Sequence, residues 1–225
     1  MTSEATWNAL AASLPRLAAP LGPVVVAAPH PDDETLAVGG LLAHLARWGQ
    51  RVDVVAVTDG EASHPEVDGL AGERAAEQDG ALAALGVGSP VRRLHLPDGA
   101  VADHEDEIAD VLAAACAPGT TLLAPWIGDG HCDHDAVGRA ATVAAARAGV
   151  PLLGYLVWAW QWARPDDLSA LPLRRFDVPA SLRSVKADAV ARFTSQTGRY
   201  DPPILPPAVL ARFARPHEVL VDAGA

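Results

Sequence analysis

The sequence predicts an α/β fold with a mostly parallel sheet. Short β-branched apolar runs alternate with segments of helical period, and glycines stand where the helices should stop. The chain has 225 residues, 50% hydrophobic and 20% charged, enough to bury its own core and too apolar for gross disorder.

The elements follow in order. Trp7, Leu10, Leu14 and Leu17 recur at roughly helical spacing, so 3–18 reads as an amphipathic helix. Residues 24–28, Val-Val-Val-Ala-Ala, form a continuous run typical of a parallel strand buried on both faces. A helix is expected over 35–48, closed by Gly49, and a second strand over 51–58. After a loop at 59–70 come a helix over 72–85 closed by Gly86, a strand over 91–96 and a helix over 103–116. A buried strand at 120–125, a loop at 126–132, a helix at 133–148 closed by Gly149 and a strand at 152–158 complete the alternation. Strands joined in this way are parallel, with right-handed crossovers. Beyond about 160, prolines at 165, 172, 179, 202, 203, 206 and 207 break the pattern. Only a helix over 180–195 and a strand over 218–222 stand out there. Residues 1–225 are therefore read as one domain, with 160–225 a Pro-rich C-terminal elaboration.

The net charge of −11 argues against nucleic-acid and anionic-membrane partners, whose phosphates would repel the chain. Lys186 is the only lysine. Two cysteines, Cys116 and Cys132, make no disulfide framework, and a reduced cytoplasmic setting is expected. Residues 1–16 lack a secretory pattern. The longest apolar stretch, 17–29, is interrupted by Pro20 and Pro23 and is too short to span a bilayer.

Ligands of open α/β sheets bind beyond the carboxyl ends of the strands. Two polar clusters sit at such ends: His30-Pro31-Asp32-Asp33-Glu34 and Asp129-Gly130-His131-Cys132-Asp133-His134. Each alone could be a solvated loop with an acidic helix cap. Together they offer imidazoles and carboxylates in the numbers a metal needs. Two imidazoles, one carboxylate and an open position suit catalytic zinc; iron(II) in a two-His, one-carboxylate set stays open. A spare carboxylate such as Asp32 beside the ligands is useful where a water must lose a proton.

These two clusters, with Thr58-Asp59-Gly60-Glu61 and Leu96-Pro97-Asp98-Gly99, resemble the LmbE-like (PIG-L) zinc deacetylases over roughly 22–200. The resemblance implies a Rossmann-like three-layer sandwich and hydrolysis of the N-acetyl group of an N-acetylglucosamine-containing small molecule. It assigns His30, Asp33 and His134 as metal ligands and Asp32 as general base. His131 would steady the oxyanion, with Asp133 orienting its ring. Arg74 matches a substrate-holding arginine, and Asp98 a second polar residue of the substrate pocket. Cys132 stands where the family has proline, and Asp129 where some sugar deacetylases have tyrosine. A different amide at the same metal, or a metal-binding module without turnover, are the alternatives; a homo-oligomer is left open.

Trp126, directly after a strand end, is the expected pocket wall. Trp158, Trp160 and Trp162 would share one face if extended, in the core or at a subunit contact more readily than against a sugar.

Overall fold

The computed structural model describes residues 2–17 and 22–222. Its elements are α1 (Glu4–Ser13), β1 (Val24–Ala28), α2 (Asp33–Arg47), β2 (Val52–Thr58), α3 (Leu70–Ala84), β3 (Arg92–Leu96), α4 (Glu105–Ala115), β4 (Thr121–Pro125), α5 (Cys132–Ala148) and β5 (Leu152–Tyr155). The C-terminal part adds α6 (Ala159–Trp162), α7 (Pro165–Leu168), β6 (Leu173–Asp177), α8 (Ala180–Val190), α9 (Pro207–Phe213) and β7 (His217–Asp222).

One seven-stranded sheet runs β3-β2-β1-β4-β5-β7-β6. The strands from β3 to β5 are parallel; β7 is antiparallel to both β5 and β6. All five residues of β1 are buried, because both faces of the sheet are covered. Val24, Val26 and Ala28 join a core with α2, α3 and α8, whereas Val25 and Ala27 join a second core with α4 and α5. This is the expected three-layer sandwich. The chain leaves β1 toward β2 and reaches β4 on its other side, so the carboxyl ends of β1 and β4 flank the switch point where open sheets bind ligands.

The C-terminal elaboration extends this sheet. Its anchor is Glu218 on β7, which accepts from Lys186 Nζ at 2.7 Å and from the amides of Gly40 and Leu41 at 2.7 and 2.8 Å. Gly40 permits this approach: a Cβ there would lie 3.0 Å from Glu218 Oε1 and 2.8 Å from both methyls of Val178. Lys186 and Glu218 are both buried. Lys186→Ala leaves the carboxylate buried without its cation, and the amides of Gly40 and Leu41 only partly compensate. A loss of about 3 kcal/mol in a denaturant titration is expected; a loss below about 1 kcal/mol would show that water replaces the ammonium.

Several boundaries differ from expectation. The first helix ends at Ser13, and residue 18 of its expected span, like 18–21 of the apolar stretch, lies outside the described residues. The strand expected over 152–158 ends at Tyr155, and the chain turns into α6. The three tryptophans therefore share no strand face. Trp160 is buried edge-on against Trp7 at 5.1 Å, Trp162 is half exposed and Trp158 is only partly buried. The helix expected over 180–195 stops at Val190, and β6 and α9 join the elements expected after residue 160.

Candidate active site

The turn after β1 is held to its neighbour: the carbonyl of Pro29 accepts from both the amide and the hydroxyl of Thr58, at 3.0 and 2.8 Å. The chain then tightens, with the Asp32 amide donating to the His30 carbonyl at 2.9 Å and the His30 amide to Asp33 Oδ2 at 2.9 Å. Asp33 opens α2, where the helix dipole favours a carboxylate. From the other side, His131 caps α5 and His134 lies on its first turn, fully buried.

These two turns converge. His30 Nδ1 and His134 Nε2 each lie 3.2 Å from Asp33 Oδ2. Ligand atoms of the three residues fall within 4.8 Å of one another. Both ring nitrogens of His134 are buried and neither makes a well-aligned hydrogen bond; Nε2 faces the Asp33 carboxylate, where a cation would satisfy both groups. His30, His131 and Asp133 also group within 4.8 Å, but the Asp133 carboxylate there accepts from the amides of Gly99 and Val101 at 2.8 and 3.4 Å. The first set fits a resident cation better. Its field favours positive charge. Burial works against protonating His134, yet Asp33 and Asp129 outweigh it and push the ring up to about 9. The carboxyl of Asp33, despite burial, is held far below its usual range by His134 and His30.

The far nitrogens of both imidazoles meet carboxylates, the usual support of metal-binding histidines. His30 Nε2 is 3.2 Å from Asp98 Oδ1 and 3.3 Å from Asp133 Oδ2. His134 Nδ1 is 2.9 Å from Asp129 Oδ2.

Asp32 points elsewhere. Its Oδ2 accepts from Arg74 Nη2 at 3.1 Å, while Arg74 Nη1 donates to the Gly60 carbonyl at 2.7 Å. Gly60 has φ +67°, and a Cβ there would overlap the guanidinium. Burial raises the Asp32 pKa, and Arg74 only partly opposes it. A carboxyl raised in this way is a better base near neutral pH.

His131 Nδ1 accepts from the Asp133 amide at 3.3 Å, so its neutral ring carries the proton on Nε2. Burial and the neighbouring histidines lower its pKa, which keeps it a neutral donor. The ring stacks on Trp158, with centroids 5.5 Å apart and planes at 21°.

A cavity of about 370 Å³ opens over this cluster. Its lining combines the polar Asp32, Asp33, Arg74, Asp98 and His131 with the apolar Leu36, Val157, Trp158, Ile204 and Leu205. Residues 195–205 form part of the wall, tied to the facing loop by His64 Nε2 and the Pro202 carbonyl at 3.0 Å. A cavity of about 400 Å³ between α8 and α9 includes none of the site residues.

The structure thus gathers His30, Asp32, Asp33, Arg74, Asp98, His131, Asp133 and His134 in one crevice. Three placements differ from the sequence reading. Asp133 meets His131 through its backbone amide, and its carboxylate faces His30 instead. Arg74 is engaged by Asp32 and Gly60, although it borders the cavity. Trp126 does not line the cavity; its indole lies over Gly128, where a Cβ would be 2.6 Å from the ring. Trp158 takes the wall position. Asp129, to which the sequence pattern gives no role, is the partner of His134.

The profile of the PIG-L family, GlcNAc-PI de-N-acetylase, matches residues 25–145. A 1D-myo-inositol 2-acetamido-2-deoxy-alpha-D-glucopyranoside deacetylase from Mycobacterium sp. (strain KMS) is 36% identical over 152 residues, 53% of this chain and 48% of its own length. The namesake from Mycolicibacterium vanbaalenii is 31% identical over 196 residues, 73% of this chain and 67% of its own. The chain spans about half the length of the first of these relatives. Among solved structures, a conserved protein from Thermus thermophilus superposes with a TM-score of 0.68 at 24% identity, covering 89% of this chain and 94% of its own. The antimicrobial A40926 pseudoaglycone deacetylase gives 0.66 at 26% identity, covering 92% of this chain and all of its own, 100%.

Proposed function

Because the chain belongs to the PIG-L (LmbE-like) family, we propose that it is a metal-dependent deacetylase that hydrolyses the N-acetyl amide of an N-acetylglucosamine-containing small molecule. The observation that carries this reading is a buried carboxylate, Asp32, next to a convergent His30–Asp33–His134 set in a cavity at the switch point of the sheet.

His30 Nδ1, an Asp33 oxygen and His134 Nε2 would hold the ion, zinc in the first instance and iron(II) in the second. When bound, it supplies Lewis acidity toward a water and an amide carbonyl. Asp32 takes the proton of the attacking water; its raised pKa suits that task, and Arg74 fixes the carboxylate while it acts. His131 donates its Nε2 proton in a hydrogen bond to the oxygen on which charge develops, where a fixed donor is worth most. The proton on Asp32 returns to the leaving amine, directly or through His131, giving acetate and a free amine. Asp98 and Trp158, at the cavity wall, are the contacts offered to the sugar.

The apolar residues in the lining, Leu36, Val157, Trp158, Ile204 and Leu205, favour a second reading in which the amide carries a larger apolar substituent. Residues 1–225 are read as one deacetylase domain elaborated over 160–225, a reading supported by the pairing of β7 with β5. Among the described residues no helix is long and apolar enough to cross a membrane. The free thiols of Cys116 and Cys132 support a cytoplasmic setting.

The test is primary-amine release from a panel of N-acetylglucosamine derivatives with different aglycones and acyl chains. Release from the acetylated sugars supports the first reading; release only from longer acyl amides supports the second. No release from any, by a protein shown to hold metal, would overturn both. His131→Ala should keep the metal while turnover falls about 10²–10³-fold, the scale of one lost oxyanion donor. Metal loss in that variant would make His131 a ligand.

A further inference from the structure

Asp129 is fully buried and lies behind His134. Its Oδ1 accepts from the amides of Val157 and Ala159, each at 2.9 Å. Its Oδ2 accepts from the amide of Trp158 at 2.9 Å and lies 2.9 Å from His134 Nδ1.

We propose that Asp129 is a positioning residue that fixes the tautomer of His134, keeping the proton on Nδ1 and leaving the Nε2 lone pair toward Asp33. This rests on the reading of His30, Asp33 and His134 as the metal set. An ionised carboxylate only accepts, so the His134 atom against it must be an N–H. A neutral imidazole has one N–H, and placing it on Nδ1 leaves Nε2 unprotonated. Three amides donate to the carboxylate, and His134 Nδ1 faces its remaining side at 2.9 Å. Asp129 is fully buried and does not line the cavity, so it is placed to orient His134 and not to meet substrate. The start of α6, held by the same oxygens, sets where the carboxylate sits, so the C-terminal elaboration helps to aim the ligand.

Asp129→Asn keeps most of the cap at the start of α6, giving up only the Trp158 amide, and changes the group that faces His134. The side-chain oxygen of asparagine can keep the amides of Val157 and Ala159. Its NH₂ group then faces His134 Nδ1 and demands a lone pair there, which moves the ring proton to Nε2. Zinc affinity, measured by chelator competition, should fall about 10–100-fold, the usual cost of losing such a partner. Asp32→Asn, measured in parallel, should bind zinc as tightly as the natural chain. Should the Asp129 variant fail to fold, nitrogen-resolved NMR of the zinc-loaded natural protein still decides: it should show a proton on His134 Nδ1. Undiminished zinc affinity in a folded Asp129→Asn protein, or an unprotonated Nδ1 in the natural one, would overturn the inference. A natural chain that binds no zinc would remove the ligand reading itself.

Discussion

Asp33→Ala should strip the metal and the activity together. Both imidazole nitrogens of the set face the same oxygen of this residue at 3.2 Å, so no other carboxylate can take its place without moving one ring. The His30 amide also donates to that oxygen at 2.9 Å, which fixes the turn carrying His30. Removing the side chain leaves two buried imidazoles facing each other with no anion between them. His30→Ala and His134→Ala should behave alike, because a three-ligand site with an open position does not tolerate loss of one ligand. Metal content is expected to fall from about one per chain to near zero, with circular dichroism confirming the fold. Full occupancy in all three variants would refute the ligand assignment.

Asp32→Asn should do the opposite to the metal and nearly the same to the rate. Asp32 is adjacent in sequence but turns to Arg74, not to the convergent donor atoms. Asparagine preserves its size and can still accept from Arg74 through its carbonyl. It cannot take a proton. Turnover should fall about 10²–10⁴-fold, or roughly 3–5 kcal/mol in the barrier, while metal content and melting temperature stay near those of the natural chain. Near-normal turnover, or loss of metal, would mean that Asp32 and Asp33 have exchanged roles.

Much of the scaffold is legible because it depends on local pattern. The apolar run over 24–28 reads as a strand covered on both faces, and the polar cluster following it then lies at the carboxyl end of that strand. What escapes the sequence depends on contacts between distant residues. Residues 158–162 are rich in tryptophan, which favours strands. They turn helical where Asp129 takes the amides of Val157, Trp158 and Ala159, partners 28 to 30 residues away. The family resemblance pairs the Asp133 carboxylate with the ring of His131, whereas it reaches His30, 103 residues away across the crevice. The arginines at 174 and 175 hide the β6 strand, whose edge position lets polar side chains stay partly exposed.

Hydrolysis of an N-acetylated glucosamine derivative in water enriched in heavy oxygen tests the central claim most directly, that Asp32 directs water onto an amide carbonyl. The expected result is acetate carrying one heavy oxygen, equimolar with free amine, and both products formed about 10²–10⁴-fold more slowly by Asp32→Asn. Acetate without the label, or amine formed with the acetyl group passed to another acceptor, would contradict it.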